Sequence, residues 1–125
     1  MAGSMAPIDA AKAFSMLPVP GGPSLLVVTS SGGAGILSSD ASEKAGLTLK
    51  PLSEDIVNRL REALPEYCVL RNPLDLTGNA FTEPGMYRDA LEVVLESGEA
   101  DMVLVVFGDP ISGTVELLGE TVRKA

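Results

Sequence analysis

The sequence predicts an α/β fold in which a mostly parallel, open sheet carries helices on both faces. Two short apolar runs rich in β-branched residues, Leu25–Val28 and Met102–Phe107, are too short for helices and have the continuous hydrophobicity of strands buried on both sides. Segments with helical spacing separate these runs. This alternation is typical of doubly wound sheets whose strands are joined by right-handed crossovers.

The size and composition of the chain limit the classes of protein to which it can belong. At 125 residues, it is expected to form one domain with a single core. Aromatic residues make up only 4% of the chain, which predicts an aliphatic core, and the net charge of −8 argues against a nucleic-acid-binding surface. No apolar run is long enough to span a membrane, and we expect a cytoplasmic protein without membrane contact.

The chain has one cysteine, Cys68, and no histidine. These counts exclude an intrachain disulfide, a cysteine zinc cluster and every mechanism that needs a histidine of this chain. We interpret Cys68 as a small buried apolar residue and not as a nucleophile, because no histidine is present to activate it.

Composition divides the chain into a cloning remnant, a helix with a Pro/Gly linker, and the α/β domain: residues 1–5, 6–23 and 24–125. In the second segment, Ala10, Phe14 and Leu17 fall on one face of the predicted helix. The linker that follows is too rich in proline and glycine for regular structure. We expect the helix and linker to belong to a preceding domain.

Cap residues and apolar spacing predict the elements after the first strand. The next helix has Leu37, Ala41 and Ala45 at four-residue steps and ends at Gly46. Leu47–Leu49 is a predicted short strand. Ser53 is expected to cap the following helix, in which three residues form the inner face before Pro65 ends it: Ile56, Leu60 and Leu64.

The second half is interpreted in the same way. Tyr67–Leu70 is a predicted short strand, and residues 71–78 are a predicted non-helical loop, since Asn72 precedes a proline and is pushed towards extended backbone. Thr82 is expected to cap a helix with Pro84 in its first turn and with Gly98 at its end. The inner face of this helix is predicted to consist of Tyr87, Ala90, Leu91 and Val94. A last helix is predicted from the spacing of Val115, Leu118 and Val122.

Small residues join the first strand to its helix. The first four N–H groups of a helix lack internal partners, and the macrodipole adds partial positive charge there. An anion cradle, most plausibly for phosphate, is therefore predicted at six residues: Ser30, Ser31, Gly32, Gly33, Ala34 and Gly35. The alternative is that the glycines serve only a tight turn and close packing, because their spacing matches neither common nucleotide-binding fingerprint.

Two further loops are expected beside this cradle, since ligands of open sheets bind beyond the carboxyl ends of the strands. The loops 71–78 and 108–113 bring four polar side chains: Arg71, Asn72, Asp75 and Asp109. Asp75 and Asp109 could hold Mg²⁺, but aspartates in turns more often form Asx turns and caps, and we expect no metal site. Arg71 could pair with phosphate or be solvated.

Two motifs together resemble those of the NDP-forming acyl-CoA synthetases, the ADP-forming acetyl-CoA synthetase group. They are Val-Val-Thr-Ser-Ser-Gly-Gly-Ala-Gly-Ile-Leu at 27–37 and Arg-Asn-Pro-Leu-Asp-Leu-Thr-Gly at 71–78. Nearly all of the chain from Ile8 is similar to the third domain of those enzymes. It is more distantly similar to the C-terminal domain of the succinyl-CoA synthetase β subunit. The resemblance implies a flavodoxin-like fold, and we expect the sheet to lack its last strand.

In that family, acyl-CoA, NDP and phosphate are converted reversibly into acid, CoA and NTP through a phosphohistidine on another domain or subunit. The resemblance implies that the helix N-terminus at Ser31–Gly35 holds this phosphohistidine. It also implies a supporting loop made of four residues: Asn72, Pro73, Asp75 and Gly108. No catalytic residue is expected in this chain. Alone it would bind at most phosphate, whereas the full enzyme would use CoA, ATP or ADP, and Mg²⁺ through CoA-binding, phosphohistidine-bearing and ATP-grasp domains.

Two alternatives remain open at this point. Similar domains are fused to protein acetyltransferases, where this chain would be a non-catalytic sensor, and the distinguishing domains would lie outside the sequence. A free-standing flavodoxin-like or receiver-like interaction domain is the other alternative. A receiver needs an acidic cluster near the end of the first strand, and Thr29–Ser31 does not supply one.

Overall fold

The computed structural model of the protein describes residues 19–83, 85–106 and 114–124. Along the chain its elements are β1 (Leu25–Thr29), α1 (Gly32–Lys44), α2 (Glu54–Ala63), β2 (Leu74–Asp75), a 3₁₀ helix (Gly78–Phe81), α3 (Gly85–Ser97), β3 (Met102–Val106) and α4 (Thr114–Lys124). The predicted α/β fold is confirmed.

The three described strands form a parallel sheet in the order β2-β1-β3. Leu25 of β1 pairs with Met102, and the register continues along β3 for five residues. On the other edge, Val28 pairs with Leu74. All five residues of β1 are buried, as predicted for a central strand of a parallel sheet.

The two faces of the sheet carry different helices. Leu26 and Val28 belong to the main hydrophobic core, which also includes buried residues of α2, α3 and α4. Successive side chains of a strand point to opposite faces, so Val27 and Thr29 lie on the other side. Gly35 of α1 approaches Thr29 there, and α1 packs mainly on β1 and β2. Helices therefore cover both faces, as predicted.

Several local predictions are confirmed. Ser53 caps α2, since its Oγ atom accepts the N–H of Ile56 at 3.2 Å. The inner faces of α2 and α3 are buried as expected: Ile56, Leu60, Leu64, Tyr87, Ala90, Leu91 and Val94. Gly46 and Gly98 follow the ends of α1 and α3 with φ of 78° and 62°, the left-handed conformation that glycine adopts at little cost.

The two predicted short strands are wrong. In place of Leu47–Leu49, only Thr48 forms a single parallel bridge, with Ser24. In place of Tyr67–Leu70, only Val69 forms a bridge, antiparallel to Asp75. The strand of this region is β2, which lies inside the predicted non-helical loop 71–78. It has two residues, too few to give an alternating pattern in the sequence.

Helix α1 is confirmed, but the three apolar residues whose spacing predicted it, Leu37, Ala41 and Ala45, are exposed. Leu37 is 71% exposed, whereas Gly35 and Ser42 are buried. The hydroxyls of Ser39 and Ser42 donate to the carbonyl groups of Gly35 and Ser38, at 3.0 and 2.6 Å. The helix lies so close to the sheet that its inner side accepts only small residues, and the larger apolar side chains face outward.

Two more predictions need correction, those for Thr82 and for β3. Thr82 follows the 3₁₀ helix and donates its hydroxyl hydrogen to the C=O of Asn79, whereas α3 begins at Gly85. β3 is only half-buried, because its outer edge has no paired strand among the described residues. The predicted last helix is confirmed as α4, in which Leu118 is buried and Val122 is 55% exposed.

Some predictions concern residues outside the described ranges. These are the helix at residues 7–17, the place of Pro84 in the first turn of α3, the end of the last strand at Phe107 and the whole loop 108–113 with Gly108 and Asp109. The side chain of Val115 is also outside them.

A short network holds the N-terminal ends of β1 and β3 together. The carboxylate of Asp101 accepts hydrogen bonds from the N–H and the hydroxyl of Ser24, at 3.0 and 2.7 Å. Ser24 Oγ accepts the N–H of Asp101 at 2.8 Å. A Cβ atom on Gly22 would lie 2.6 Å from Asp101 Oδ2, so the linker passes this carboxylate where a side chain would not fit.

No helix in the described part of the chain has both the length and the apolar character needed to cross a membrane.

Candidate site at the N-terminus of helix α1

The N-terminus of α1 leaves backbone donors available. Ser31 is its N-cap and accepts the N–H of Ala34 on its Oγ atom at 3.3 Å. The N–H of Ser31 itself donates to Thr29 Oγ1 at 3.1 Å. No described residue accepts a hydrogen bond from the N–H of Gly32 or Gly33. Two of the N–H groups predicted to form the anion cradle therefore have no hydrogen-bond acceptor among the described residues.

This helix end is open to solvent. Ser31, Gly32 and Gly33 are exposed, and Ala34 is partly so. The first turn of α1 contains no acidic residue, in contrast to α2, which begins with Glu54 and Asp55. The positive end of the α1 dipole is thus not neutralised by a side chain of its own first turn.

The glycines of the loop divide into two groups by environment. A Cβ atom on Gly35 would lie 3.3 Å from Pro73 Cβ and 3.6 Å from Thr29 Cγ2, whereas one on Gly33 would meet nothing nearer than 3.8 Å. Gly35 therefore serves close packing of α1 on the sheet, which is the alternative considered from the sequence. Gly32 and Gly33 lie at the open end of the helix.

Asp75 lies beside the same helix end. Its Oδ1 atom accepts the N–H of Thr77 at 2.8 Å in an Asx turn, and Thr77 has a left-handed φ of 67°. Its Oδ2 atom lies 3.6 Å from the Cβ position on Gly32. The carboxylate thus brings negative charge close to the free N–H groups.

Ser30 precedes the N-cap Ser31 and is buried, with 4% of its surface exposed. Its Oγ atom has no partner among the described residues that meets both the distance and the angle of a hydrogen bond. Burial raises the pKa of Tyr87, the neighbouring Ser30 hydroxyl partly offsets that rise, and the charge of Asp75 adds to it. The hydroxyl of Tyr87 donates to the C=O of Val106 at 3.2 Å, at the carboxyl end of β3.

The side chain of Asn72 does not lie at the N-terminus of α1. Its Oδ1 accepts the N–H of Val27 at 3.1 Å, and its Nδ2 donates to the C=O groups of Leu25 and Lys50 at 2.8 and 2.9 Å. The side chain is therefore engaged along the edge of β1, away from the strand's carboxyl end. Arg71 lines a cavity of about 320 Å³ with apolar residues such as Leu70 and does not join the helix end.

The structure thus brings together part of the predicted site. Pro73 and Asp75 of the second loop meet α1 at Gly35 and Gly32, whereas Asn72 acts on the sheet edge. Sequence reasoning missed Thr29 as the acceptor for the Ser31 N–H, because a threonine ending a strand gives no signal of this role. Within the described ranges, no three His, Cys, Asp or Glu side chains cluster as metal ligands would.

The lone thiol lies in the core near this site. Cys68 is buried, as predicted, and its Sγ lies 3.7 Å from the C=O of Leu76. Burial raises the pKa of Cys68, and the negative charge of Asp75 raises it further. A thiol in this state is protonated at neutral pH and is a poor nucleophile.

The model of the Ligase-CoA domain family matches residues 25–114. The match covers well over half of the chain and includes the motifs at 27–37 and 71–78. The chain therefore belongs to the Ligase-CoA domain family, which confirms the resemblance to acyl-CoA synthetases. A trans-feruloyl-CoA synthase of an unknown prokaryotic organism is 32% identical over 73 residues, which are 57% of this chain and 10% of that protein.

Solved structures share the fold. The apo form of dinucleotide-forming acetyl-coenzyme A synthetase 1 from Ca. Korarchaeum cryptofilum superposes with a TM-score of 0.80 and 24% identity, over 100% of this chain and 32% of that one. Its complex with phosphate and ADP gives a TM-score of 0.79 at 24% identity, over 99% and 31%. PH0766 from Pyrococcus horikoshii OT3 gives 0.84 and 27%, over 99% and 29%. This chain thus spans about a third of those chains and a tenth of the synthase.

Proposed function

We propose that this chain is a domain of an NDP-forming acyl-CoA synthetase and that the N-terminus of α1 binds the phosphate of a phosphohistidine carried by another domain. The observation on which the proposal depends is the pair of unpartnered N–H groups of Gly32 and Gly33 at an exposed helix end. Such groups, together with the helix dipole, suit a phosphoryl group.

The reaction of the whole enzyme would convert acyl-CoA, ADP and phosphate into acid, CoA and ATP. In it, a histidine outside this chain would carry the phosphoryl group between two sites. This chain has no histidine, so its contribution is binding. It would hold the phosphorylated side chain by backbone hydrogen bonds and would supply no reacting group of its own. CoA, the nucleotide and Mg²⁺ would be bound by the partner domains.

Two features of the comparisons support this proposal. The trans-feruloyl-CoA synthase and the acetyl-coenzyme A synthetase named above are several times longer than this chain, which leaves room for the other domains. One of the structures with this fold is a complex with phosphate and ADP. We expect the enzyme to work in the cytoplasm, where its nucleotide and CoA substrates are held.

The test is a titration of the ¹⁵N-labelled chain with inorganic phosphate, followed by backbone amide shifts. We expect saturable shifts centred on Gly32 and Gly33. Gly32 is the first residue of α1, where proline is tolerated, and Ser31 before it already has the extended backbone that proline requires. Gly32→Pro therefore removes one donor without disturbing the helix, and Gly32→Ala is the matched control that keeps it.

Gly32→Pro should weaken phosphate binding about tenfold or more, the usual effect of losing a hydrogen bond to a charged group. Gly32→Ala should bind like the natural sequence, because its Cβ would make only an ordinary contact with Asp75. The proposed role of this helix end would be overturned if the amide signals of residues 31–34 did not shift on addition of phosphate. It would also be overturned if the two variants bound phosphate with equal affinity.

A further inference from the structure

The cavity that contains Arg71 lies between the segment 49–52, helix α2 and the residues before β2. Its volume is about 320 Å³, which is at the lower end of the range of about 300–1,000 Å³ for ligand pockets. Arg71 is the one charged residue among the described residues that line it. The others are mostly apolar: Leu49, Pro51, Leu52, Val57, Leu70 and Asn72. The cavity therefore suits a small molecule with an apolar body.

The walls of this cavity are fixed by contacts within the fold. Leu52 and Leu70 pack against the main hydrophobic core. The side chain of Asn72 donates to the C=O of Lys50 at 2.9 Å and accepts the N–H of Val27 at 3.1 Å. It thereby ties the segment 49–52 and the loop before β2 to the sheet. The cavity is pre-formed, as ligand pockets usually are.

The guanidinium of Arg71 brings a positive charge to this apolar lining. Arg59 and Arg88 form ion pairs with Glu96 and Asp89, whereas no described residue forms an ion pair or a hydrogen bond with the Arg71 side chain. A guanidinium presents a planar fork of donors that matches the two oxygens of a carboxylate. The unpaired charge in an apolar cavity thus favours a ligand that combines a hydrocarbon body with a carboxylate.

Backbone donors in the lining are a second, independent observation. No described residue accepts a hydrogen bond from the N–H of Leu52 or Leu70, and both residues are partly buried. Neither lies in a helix or a strand, so no ladder of backbone hydrogen bonds uses these groups. A backbone N–H in a partly buried position gains free energy from an acceptor. An oxygen of a bound anion would be such an acceptor.

We propose that this cavity binds an aliphatic monocarboxylate, with its carboxylate on Arg71 and its hydrocarbon chain against Leu52, Val57 and Leu70. A single negative charge matches the one guanidinium of the lining. A phosphate dianion would be left with an excess charge in a chain whose net charge is already −8. The proposal does not depend on the function proposed for the N-terminus of α1, because no residue of the anion cradle lines the cavity.

Titration of the ¹⁵N-labelled chain with sodium hexanoate tests this proposal. We expect saturable amide shifts centred on Leu52, Leu70 and Arg71. 1-Hexanol, which has the same chain length without the charge, should bind about tenfold more weakly or worse. Butanoate, which is two methylene groups shorter, should also bind about tenfold more weakly than hexanoate.

A pair of arginine variants separates this cavity from general attraction to positive charge. Arg71→Gln should weaken hexanoate binding about tenfold or more. Arg88→Gln is the matched control, since it also removes one exposed arginine and should bind like the natural sequence. Because phosphate binding at α1 is measured at Gly32 and Gly33, failure of one proposal is distinguishable from failure of the other.

Three results would overturn the carboxylate site. The first is the absence of saturable shifts at Leu52, Leu70 and Arg71 with hexanoate. The second is equal affinity for hexanoate in the Arg71→Gln and Arg88→Gln variants, or equal affinity of the natural sequence for hexanoate and 1-hexanol. The third is tighter binding of inorganic phosphate than of hexanoate at the same amides, which would identify a site for phosphate.

Discussion

The side chain of Asn72 takes the place of a strand beside Val27, with its Oδ1 atom 3.1 Å from the backbone nitrogen of Val27. Thr48 pairs with Ser24 before this point on the same edge of β1, and β2 pairs after it. The amide also donates to the C=O groups of Leu25 and Lys50. One side chain thus fills the gap between two short backbone pairings and satisfies groups that the sheet edge would otherwise leave without partners.

Replacement of Asn72 by alanine is therefore expected to destabilise the fold. Three backbone groups lose their partner at once, and the expected cost is about 2–4 kcal/mol in the free energy of unfolding, measured by urea denaturation. Asn72→Asp should cost at least as much, because a carboxylate cannot donate to the carbonyl groups of Leu25 and Lys50.

Asn58→Ala is the control for this experiment. Asn58 is exposed on α2 and makes one surface hydrogen bond, with Arg61. Its replacement should change stability by less than about 0.5 kcal/mol. An equally small effect at Asn72 would contradict the role assigned to its side chain.

The sequence predicted the long elements well and the sheet edges poorly. β1 was predictable because burial on both sides leaves a continuous apolar run, and the inner faces of α2 and α3 were predictable because burial on one side leaves a periodic apolar pattern. β2 and the Thr48 bridge were not predictable, because one or two residues are too few to show a hydrophobic periodicity. The hydrogen bonds of Asn72 to β1 join positions that are 45 and 47 residues apart, which no local pattern records.

The site was predicted in the same uneven way. The open helix end was predictable from a strand followed by small residues, which is a local signal. Its neighbours were not: Asp75 lies next to Gly32, and Pro73 next to Gly35, only because the fold brings the two loops together. The apolar stripe that predicted α1 lies on its exposed side, since close contact with Pro73 selects glycine on the inner side and leaves Leu37 outside.

Two glycines inside helices should respond oppositely to alanine. Gly119 of α4 has no atom within 4 Å of its Cβ position, so Gly119→Ala should stabilise the protein by about 0.5–1 kcal/mol through helix propensity. At Gly35 the new Cβ would lie 3.3 Å from Pro73, and the overpacking, about 1–3 kcal/mol, offsets or exceeds that gain.

Urea denaturation of the two variants measures this contrast directly. Gly35→Val, which adds two further methyl groups at the same contact, should be more destabilising than Gly35→Ala. A stabilised Gly35→Ala variant would contradict the close packing of α1 on the second loop.

The link between Asp101 and Ser24 should make stability depend on pH. Hydrogen bonds from the Ser24 hydroxyl and then from its N–H hold the pKa of Asp101 below its ordinary value, with a smaller contribution from Lys50. A carboxyl whose pKa is lower in the folded state stabilises that state above its unfolded pKa. The contribution is lost as the pH falls through the folded pKa.

The measurement compares the urea midpoints of the natural sequence and Asp101→Asn from neutral pH down to about pH 2. The natural sequence should be the more stable at neutral pH, and the difference should disappear in acid. In a Ser24→Ala background the difference should already be small at neutral pH. A difference that persists unchanged in acid would show that charge on Asp101 is not its source.

The carboxylate of Asp75 should oppose phosphate at the N-terminus of α1. Its Oδ2 lies close to Gly32, one of the two proposed donors, so bound phosphate and Asp75 would repel each other. Asp75→Asn keeps an oxygen to accept the N–H of Thr77 and removes the charge. We expect phosphate affinity to rise about three- to tenfold at low ionic strength, with a smaller gain in high salt.

The same variant has an effect that does not depend on phosphate. Because the charge of Asp75 helps to raise the pKa of Cys68, Asp75→Asn should lower that pKa and make the thiol react faster with a disulfide reagent at mildly alkaline pH. Glu54→Gln, which removes an equal charge at the start of α2, should alter neither phosphate affinity nor thiol reactivity. Faster thiol reaction without tighter phosphate binding would mean that the charge is removed as intended but that phosphate does not bind beside Gly32.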